Sequence, residues 1–179
     1  MHPADIIGFW FDEIESKQWF VKDLAFDQML IERFSDIHVQ ASQCELFEWR
    51  HSAEGCLAEV IILDQFSRNM FRDTARAFAY DALALALAQS AIAAGYDQNL
   101  SAQQRSFLYM PFMHSESIKV HDVALKLFSD NGIQANVDFE LKHRDIIERF
   151  ARYPHRNEIL GRESTQEEKE FLTQPGSSF

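Results

Sequence analysis

Nowhere in the 179-residue chain do four or more β-branched residues alternate with a period of two, the pattern that marks a half-buried strand. Apolar residues return instead at intervals of three and four, as they do along one face of a helix. In "ADIIGFWFDEI", Ile6, Ile7, Phe9, Trp10 and Ile14 share a broad face, and "KDLAFDQMLIERFSDIHVQ" repeats the pattern at Leu24, Met29, Leu30, Ile31 and Phe34. Only four Pro and six Gly interrupt regular structure. The chain therefore reads as a string of helices joined by short turns.

Local signals place the boundaries. A third helix is expected from about Ala53 to Phe71, and a fourth from Thr74, as N-cap, to Gly95, as terminator. "SAQQ" (101–104) and "STQEE" (164–168) match capping boxes, and "NG" (131–132) closes another helix. Further helices fall near 101–110, 116–130, 135–152 and 165–173. The expectation is an all-α chain of about eight helices stacked as antiparallel pairs, in one domain over residues 1–179, with 174–179 as a tail. The Ala/Leu run from Ala82 to Ala94 is expected among the most buried helices. Phe179 is expected to reach back over the core.

The formal net charge of −11 argues against a general nucleic-acid binder. Arginine concentrates in two windows of this acidic chain: residues 62–76 carry three bases against two acids, and residues 142–162 six against three. The longest apolar stretch, "ALALALAQSAIAA", is too short for a bilayer span of about 20 residues, so no membrane partner is expected. Met1 to Asp5 lacks the basic and apolar regions of a secretory signal. Cys44 and Cys56 have no metal-binding or framework spacing, which suits a reducing, cytoplasmic compartment.

Four segments in order, "ILDQFSRNMFRDTARAFAYDALALA", "FLYMPFMHSES", "HRDIIERFARYPHRN" and "LGREST", with "FWF" near the start and "PGSSF" at the end, are similar to the bacterial family known as domain of unknown function 924. The resemblance covers nearly the whole chain. It implies an all-helical fold like the right-handed superhelices of tetratricopeptide repeats, and it implies no activity. The chain departs from the family pattern at Ser67, where Pro is common, and at Asp73 and Ala151, where Gly is common. The two lost glycines leave the tight turns there open.

Candidate functional groups follow from charge and placement. At about 100° per residue, Asp64, Gln65, Arg68, Asn69 and Arg72 span roughly 140° of one helix face. Asp64 and Arg68 form an i, i+4 pair. Forked donors on Arg and Asn distinguish this face from an ordinary solvated one. "MHSE" puts His114 and Glu116 at a junction between helices. "YPHRN" puts His155, Arg156 and Asn157 in a turn with exposed donors, because a helix must stop before Pro154. The bland reading makes these residues helix caps, with Ser115 an N-cap and Arg156 on C-terminal carbonyls. Two Glu-x-x-His units, Glu48/His51 and Glu140/His143, share the spacing of di-iron bundles. Glu48 and His51 sit near a helix end, so no metal or other cofactor is expected. His143 lies in a family-matching segment and stays a candidate for ligand contact. No nucleophile elbow and no Gly-rich phosphate loop is present.

Two functions are consistent with these residues. One is a binding module for an anionic small molecule or a peptide carboxylate, held on Arg68, Arg72, Arg156 and nearby Asn and His side chains in a shared concavity. The other is an enzyme with His114 or His155 as general acid/base, Asp64 or Glu116 orienting it, and arginines stabilising negative charge. A third possibility is a polar network that only fixes helix packing.

Overall fold

The computed structural model describes residues 1–178, which are helical with no strand among them; Phe179 and its expected docking lie outside the described residues. The helices are α1 (Pro3–Gly8), α2 (Leu24–Ser42), α3 (Ala53–Ile61), α4 (Ser67–Met70), α5 (Asp81–Ala93), α6 (Ala102–Met113), α7 (Ile118–Asn131), α8 (Gln134–Phe150) and α9 (Gln166–Leu172). A π-turn over Ile62–Phe66 links α3 directly to α4, so the expected long helix runs through with one widened turn.

Caps fix where the helices begin. Asp23 accepts hydrogen bonds from the backbone N–H groups of Ala25 and Phe26, and Ser52 accepts from Gly55. Gly55 is required by packing: a Cβ there would lie 1.9 Å from the carbonyl oxygen of Trp49, where the preceding 3-10 turn closes on α3. The "SAQQ" box forms as expected, and Gly132 ends α7 in the left-handed conformation. At the C-terminal helix the box is shifted by one: Thr165 and Glu168 form it, not Ser164. Thr74 starts only a 3-10 turn, Ala75–Phe78, and α5 begins at Asp81.

The central helix is α3, not the Ala/Leu helix. Every residue from Gly55 to Ser67 is buried, and α3 packs against α1, α5 and α6. In α5 only Ala84, Ala88 and Ala91 are buried, a single stripe at i, i+4 and i+7. Alanine raises helix propensity without supplying much area to bury, so its abundance there reports helicity and not centrality. The aromatic core lies between α1, α2 and the α3–α4 rod: Phe9 and Phe34 rings are 4.7 Å apart, Phe34 and Phe66 4.9 Å, and Trp10 and Phe66 5.6 Å. Helices α6, α7 and α8 follow one another through short turns and pack in sequence, α6 on α7 and α7 on α8. A smaller cluster of Ile146, Ile147 and Tyr153, with Phe150 and Phe171, joins α8 to the C-terminal segment.

Both positions that lack the family's glycine keep the glycine conformation. Asp73 has φ 60° and Ala151 φ 57°, so the tight turns persist with side chains in the left-handed region.

Candidate functional site

The chain brings three distant pieces together: the π-turn, the end of α6 with the turn after it, and the segment after α8. Asp64 is fully buried in the π-turn. One of its carboxylate oxygens lies 2.7 Å from His114 Nδ1 and 3.1 Å from Arg68 Nη1; the other accepts from Gln65 Nε2 at 2.5 Å. A π-turn inside a helix recurs where functional side chains must be presented.

Arg68 is fully engaged. Its two Nη groups donate to the two oxygens of Asp81 at 2.8 and 2.9 Å, and Nη1 also reaches the Asp64 carbonyl at 2.9 Å. Burial disfavours its charge, but Asp64 and Asp81 outweigh that and raise its pKa. Burial likewise opposes ionisation of Asp64, and Arg68 and His114 outweigh it, holding the carboxyl well below the usual range. His114 moves the other way: burial and Arg68 lower its pKa, with Asp64 opposing. The imidazole is therefore neutral, with its proton on Nδ1 toward Asp64 and its lone pair on Nε2.

Arg156 sits across the same carboxylate. It is only 7% exposed, and its guanidinium carbon lies 4.6 Å from the ring centre of Phe78 and 4.5 Å from that of Tyr153. Nη1 donates to the His114 carbonyl at 3.1 Å and to Asp81 at 3.5 Å. Nε is buried and has no acceptor among the described residues. Burial, then the like charge of Arg68, lowers its pKa.

Around Tyr153 the remaining groups form a second layer. Glu116 accepts from the Tyr153 backbone N–H at 2.7 Å and from both Nη groups of Arg162, at 2.7 and 2.9 Å. Although burial opposes it, this pairing lowers the Glu116 pKa. The Tyr153 hydroxyl donates to the Met113 carbonyl. His121 pairs with Glu140 at 2.7 Å and with the Ser115 carbonyl at 2.8 Å. His143 and His155 lie 5.8 and 5.6 Å from the Tyr153 ring. Burial pushes the pKa of His143 down to about 3 and that of His155 to about 4.

Of the residues singled out in the sequence, Asp64, Arg68, His114 and Arg156 converge around Asp81, while Glu116, His143 and His155 gather around Tyr153. Asn69 and Arg72 do not join them: Asn69 Nδ2 donates to Asp27 at 2.8 Å, and Arg72 grips the same carboxylate at 2.6 and 2.8 Å. Asn69 lies at the far edge of the arc, and α4 stops at Met70, so Arg72 is no longer on the helix that the 100° rule describes. Asn157 is buried and donates to Ser164, shaping the loop. The "YPHRN" donors are thus largely interior, with Pro154–Arg156 forming a 3-10 turn. Ser115 is not the N-cap of α7, which is Ser117; Ser115 Oγ accepts from the Ser117 N–H. Glu48 and His51 are exposed, whereas Glu140 faces His121.

The side chains meet mainly one another and not an open bowl. Two surface cavities lie elsewhere: one of 420 Å³ between Arg149, Arg152, Thr165 and Glu167, and one of 170 Å³ between Arg50, Cys56, Glu59 and Tyr96. Sequence reasoning missed Asp81, Phe78 and Arg162. Asp81 reads as an ordinary acid in the first turn of a helix, which conceals its two arginine partners.

The model of the bacterial protein family of unknown function DUF924 matches residues 6–176. A solved structure of a protein of unknown function from Agrobacterium tumefaciens is 45% identical, with a TM-score of 0.90 over 95% of this chain and 96% of that one. No curated protein shows significant similarity to the chain. The match over nearly the full length, in both sequence and fold, makes this chain a member of the DUF924 family.

Proposed function

We propose that the protein is a binding module for an anionic small molecule or a peptide carboxylate, with Arg156 as the group that receives the negative charge. The observation that carries this reading is the imbalance between the two arginines. Arg68 has a bidentate partner in Asp81 and a second acid in Asp64, while Arg156 has the neutral His114 carbonyl at 3.1 Å and, as its one acid, the already engaged Asp81 at 3.5 Å. A buried guanidinium with a buried, unpartnered Nε is costly, and an anion bound at that edge offsets the cost. Arg68 then serves the packing of the site and holds Asp81 in place. The two free thiols, Cys44 and Cys56, suit a cytoplasmic setting.

The test is a thermal-shift screen of anionic metabolites and short peptides on the intact protein and on Arg156→Met. A ligand held by the folded state raises Tm by mass action. At least one anion should do so in the intact protein and not in the variant. A shift that survives Arg156→Met, or a full screen without any shift, rejects the proposal.

A second reading has its own observation. The 2.7 Å bond from His114 to Asp64 is the arrangement in which a carboxylate orients an imidazole for proton transfer. Nε2 of His114 has no hydrogen-bond partner among the described residues, so it is available to a substrate proton. In this reading Arg156 holds the substrate's charge and His114 acts as general acid/base. Turnover of a bound anion that is lost in His114→Gln, with binding retained, separates this from a pure binding role.

A further inference from the structure

The 170 Å³ cavity lies where the start of α3 faces the end of α5. Its wall includes Cys56 and Glu59 of α3, Arg50 of the 3-10 turn Phe47–His51 before it, and Leu87, Ala91 and Ala94 at the end of α5. Small side chains at Cys56, Ala91 and Ala94 leave unfilled, between two packed helices, a volume that close packing fills elsewhere. Cys56, Glu59 and Ala91 are buried, whereas Ala94 and Ser90 in the same wall are exposed, so the cavity is deep at one end and open at the other.

The charges in this wall are satisfied internally. Glu59 is fully buried, and Arg50 donates to both of its oxygens, from Nε at 2.7 Å and from Nη2 at 2.6 Å. Cys56 Sγ donates to the Arg50 carbonyl at 3.6 Å, and burial raises its pKa, so it stands as a neutral thiol. Ser90 Oγ donates to the Ala86 carbonyl at 3.0 Å. A charged guest would give up its water and find no counter-charge left over. A neutral apolar guest gains the burial of its surface. An apolar cavity of about 150 Å³ takes up benzene or xenon, so this one has room for a single ring.

We infer that the cavity between α3 and α5 is a binding site for a small uncharged apolar molecule the size of a single ring, separate from the Arg156 region. The Ala/Leu run of α5 then does more than favour helicity: at Ala91 and Ala94 the absent side chains are the site.

The test uses the full chain carrying Cys44→Ser, which leaves Cys56 as its single thiol. Calorimetric titration measures the affinity for toluene, and the rate of Cys56 alkylation by iodoacetamide locates it. At free toluene about ten times its Kd, alkylation should slow by about tenfold, in proportion to occupancy. Benzoate, the same ring with a charge, should leave that rate unchanged even where it binds at Arg156. Ala91→Leu fills the space and Ala94→Leu, at an exposed position, narrows the opening; each should weaken toluene binding by about tenfold or more. Should Ala91→Leu fail to fold, Ala94→Leu carries the comparison. The assignment is overturned if toluene gives no saturable heat or no protection of Cys56, if benzoate protects as well as toluene, or if the folded leucine variants bind toluene as the parent does. A Cys56 thiol that does not react in the ligand-free chain overturns it too, because the cavity is then closed to solvent.

Discussion

Asp81 stands between two arginines and serves them unequally: Arg68 holds both of its oxygens, at 2.8 and 2.9 Å, while Arg156 approaches one of them only at 3.5 Å. The consequence is a division of labour between two guanidinium groups that the sequence presents as equivalents. Arg68→Met keeps much of the volume but leaves Asp64 buried with His114 and Gln65 and no guanidinium, and leaves Asp81 with only the distant Arg156. Breaking a buried pair by removing one partner costs about 3–5 kcal/mol. Urea denaturation should show a loss of that order for Arg68→Met. A change below about 1 kcal/mol would show that Arg68 is not the structural partner of these acids.

Three histidines give the fold a defined acid limit. Burial lowers His38 to about 4, His143 to about 3 and His155 to about 4. An unfolded histidine titrates near 6.5, at about the reference value. Above that pH both states are neutral and these groups add no pH dependence. As pH falls below it, the unfolded chain binds protons that the folded chain refuses, so stability declines until the folded values are reached. Each group contributes up to about 1.4 kcal/mol per pH unit in that window. Denaturant midpoints should therefore fall steeply between pH 6.5 and about 4, and His38→Gln should flatten the slope by roughly one proton. A flat profile over this range would contradict the burial of these imidazoles.

Ala151 ends α8 with φ 57°, where its Cβ is strained. Glycine adopts this region freely, so Ala151→Gly should stabilise the protein by about 1 kcal/mol and raise Tm by roughly 2–4 °C. Asp73→Gly should gain less, because Asp tolerates the region better and Asp73 pairs with Lys22 at 2.9 Å. Scanning calorimetry decides it; a fall in Tm for Ala151→Gly would mean that the turn is not strained.

The C-terminal segment also contributes. Ser177 is buried, and its Oγ donates to the Leu172 carbonyl at 3.2 Å. Deletion of residues 175–179 should lower Tm by roughly 2–4 °C, equivalent to about 1 kcal/mol. An unchanged Tm would mark the segment as energetically idle.

The helices were legible because periodicity and caps are local: the face of Ile6 to Ile14, the Ser101–Gln104 box and Gly132 all act within a few residues. Burial was less legible, since α3 and α5 are both apolar and only their neighbours decide which is central. At the site, Asp64 with Arg68 and the turns holding His114 and Arg156 stood out through clustered charge. Asn69 and Arg72 sit apart from that cluster, on Asp27, because a uniform helical wheel contains neither a π-turn nor a helix end at Met70. Asp81 stayed hidden because its role depends on partners 13 and 75 residues away.

The contacts that complete the Arg156 surround span long stretches of chain: 75 residues to Asp81, 42 to His114, and 37 from Tyr153 to Glu116. Loop-closure entropy grows with such separations, so these contacts form at a greater cost than the i, i+4 bonds inside each helix. During synthesis, Asp64, Asp81 and His114 are all in the chain before Arg156 is added. A chain interrupted before Tyr153 holds Asp64, Asp81 and His114 without the second arginine that approaches Asp81.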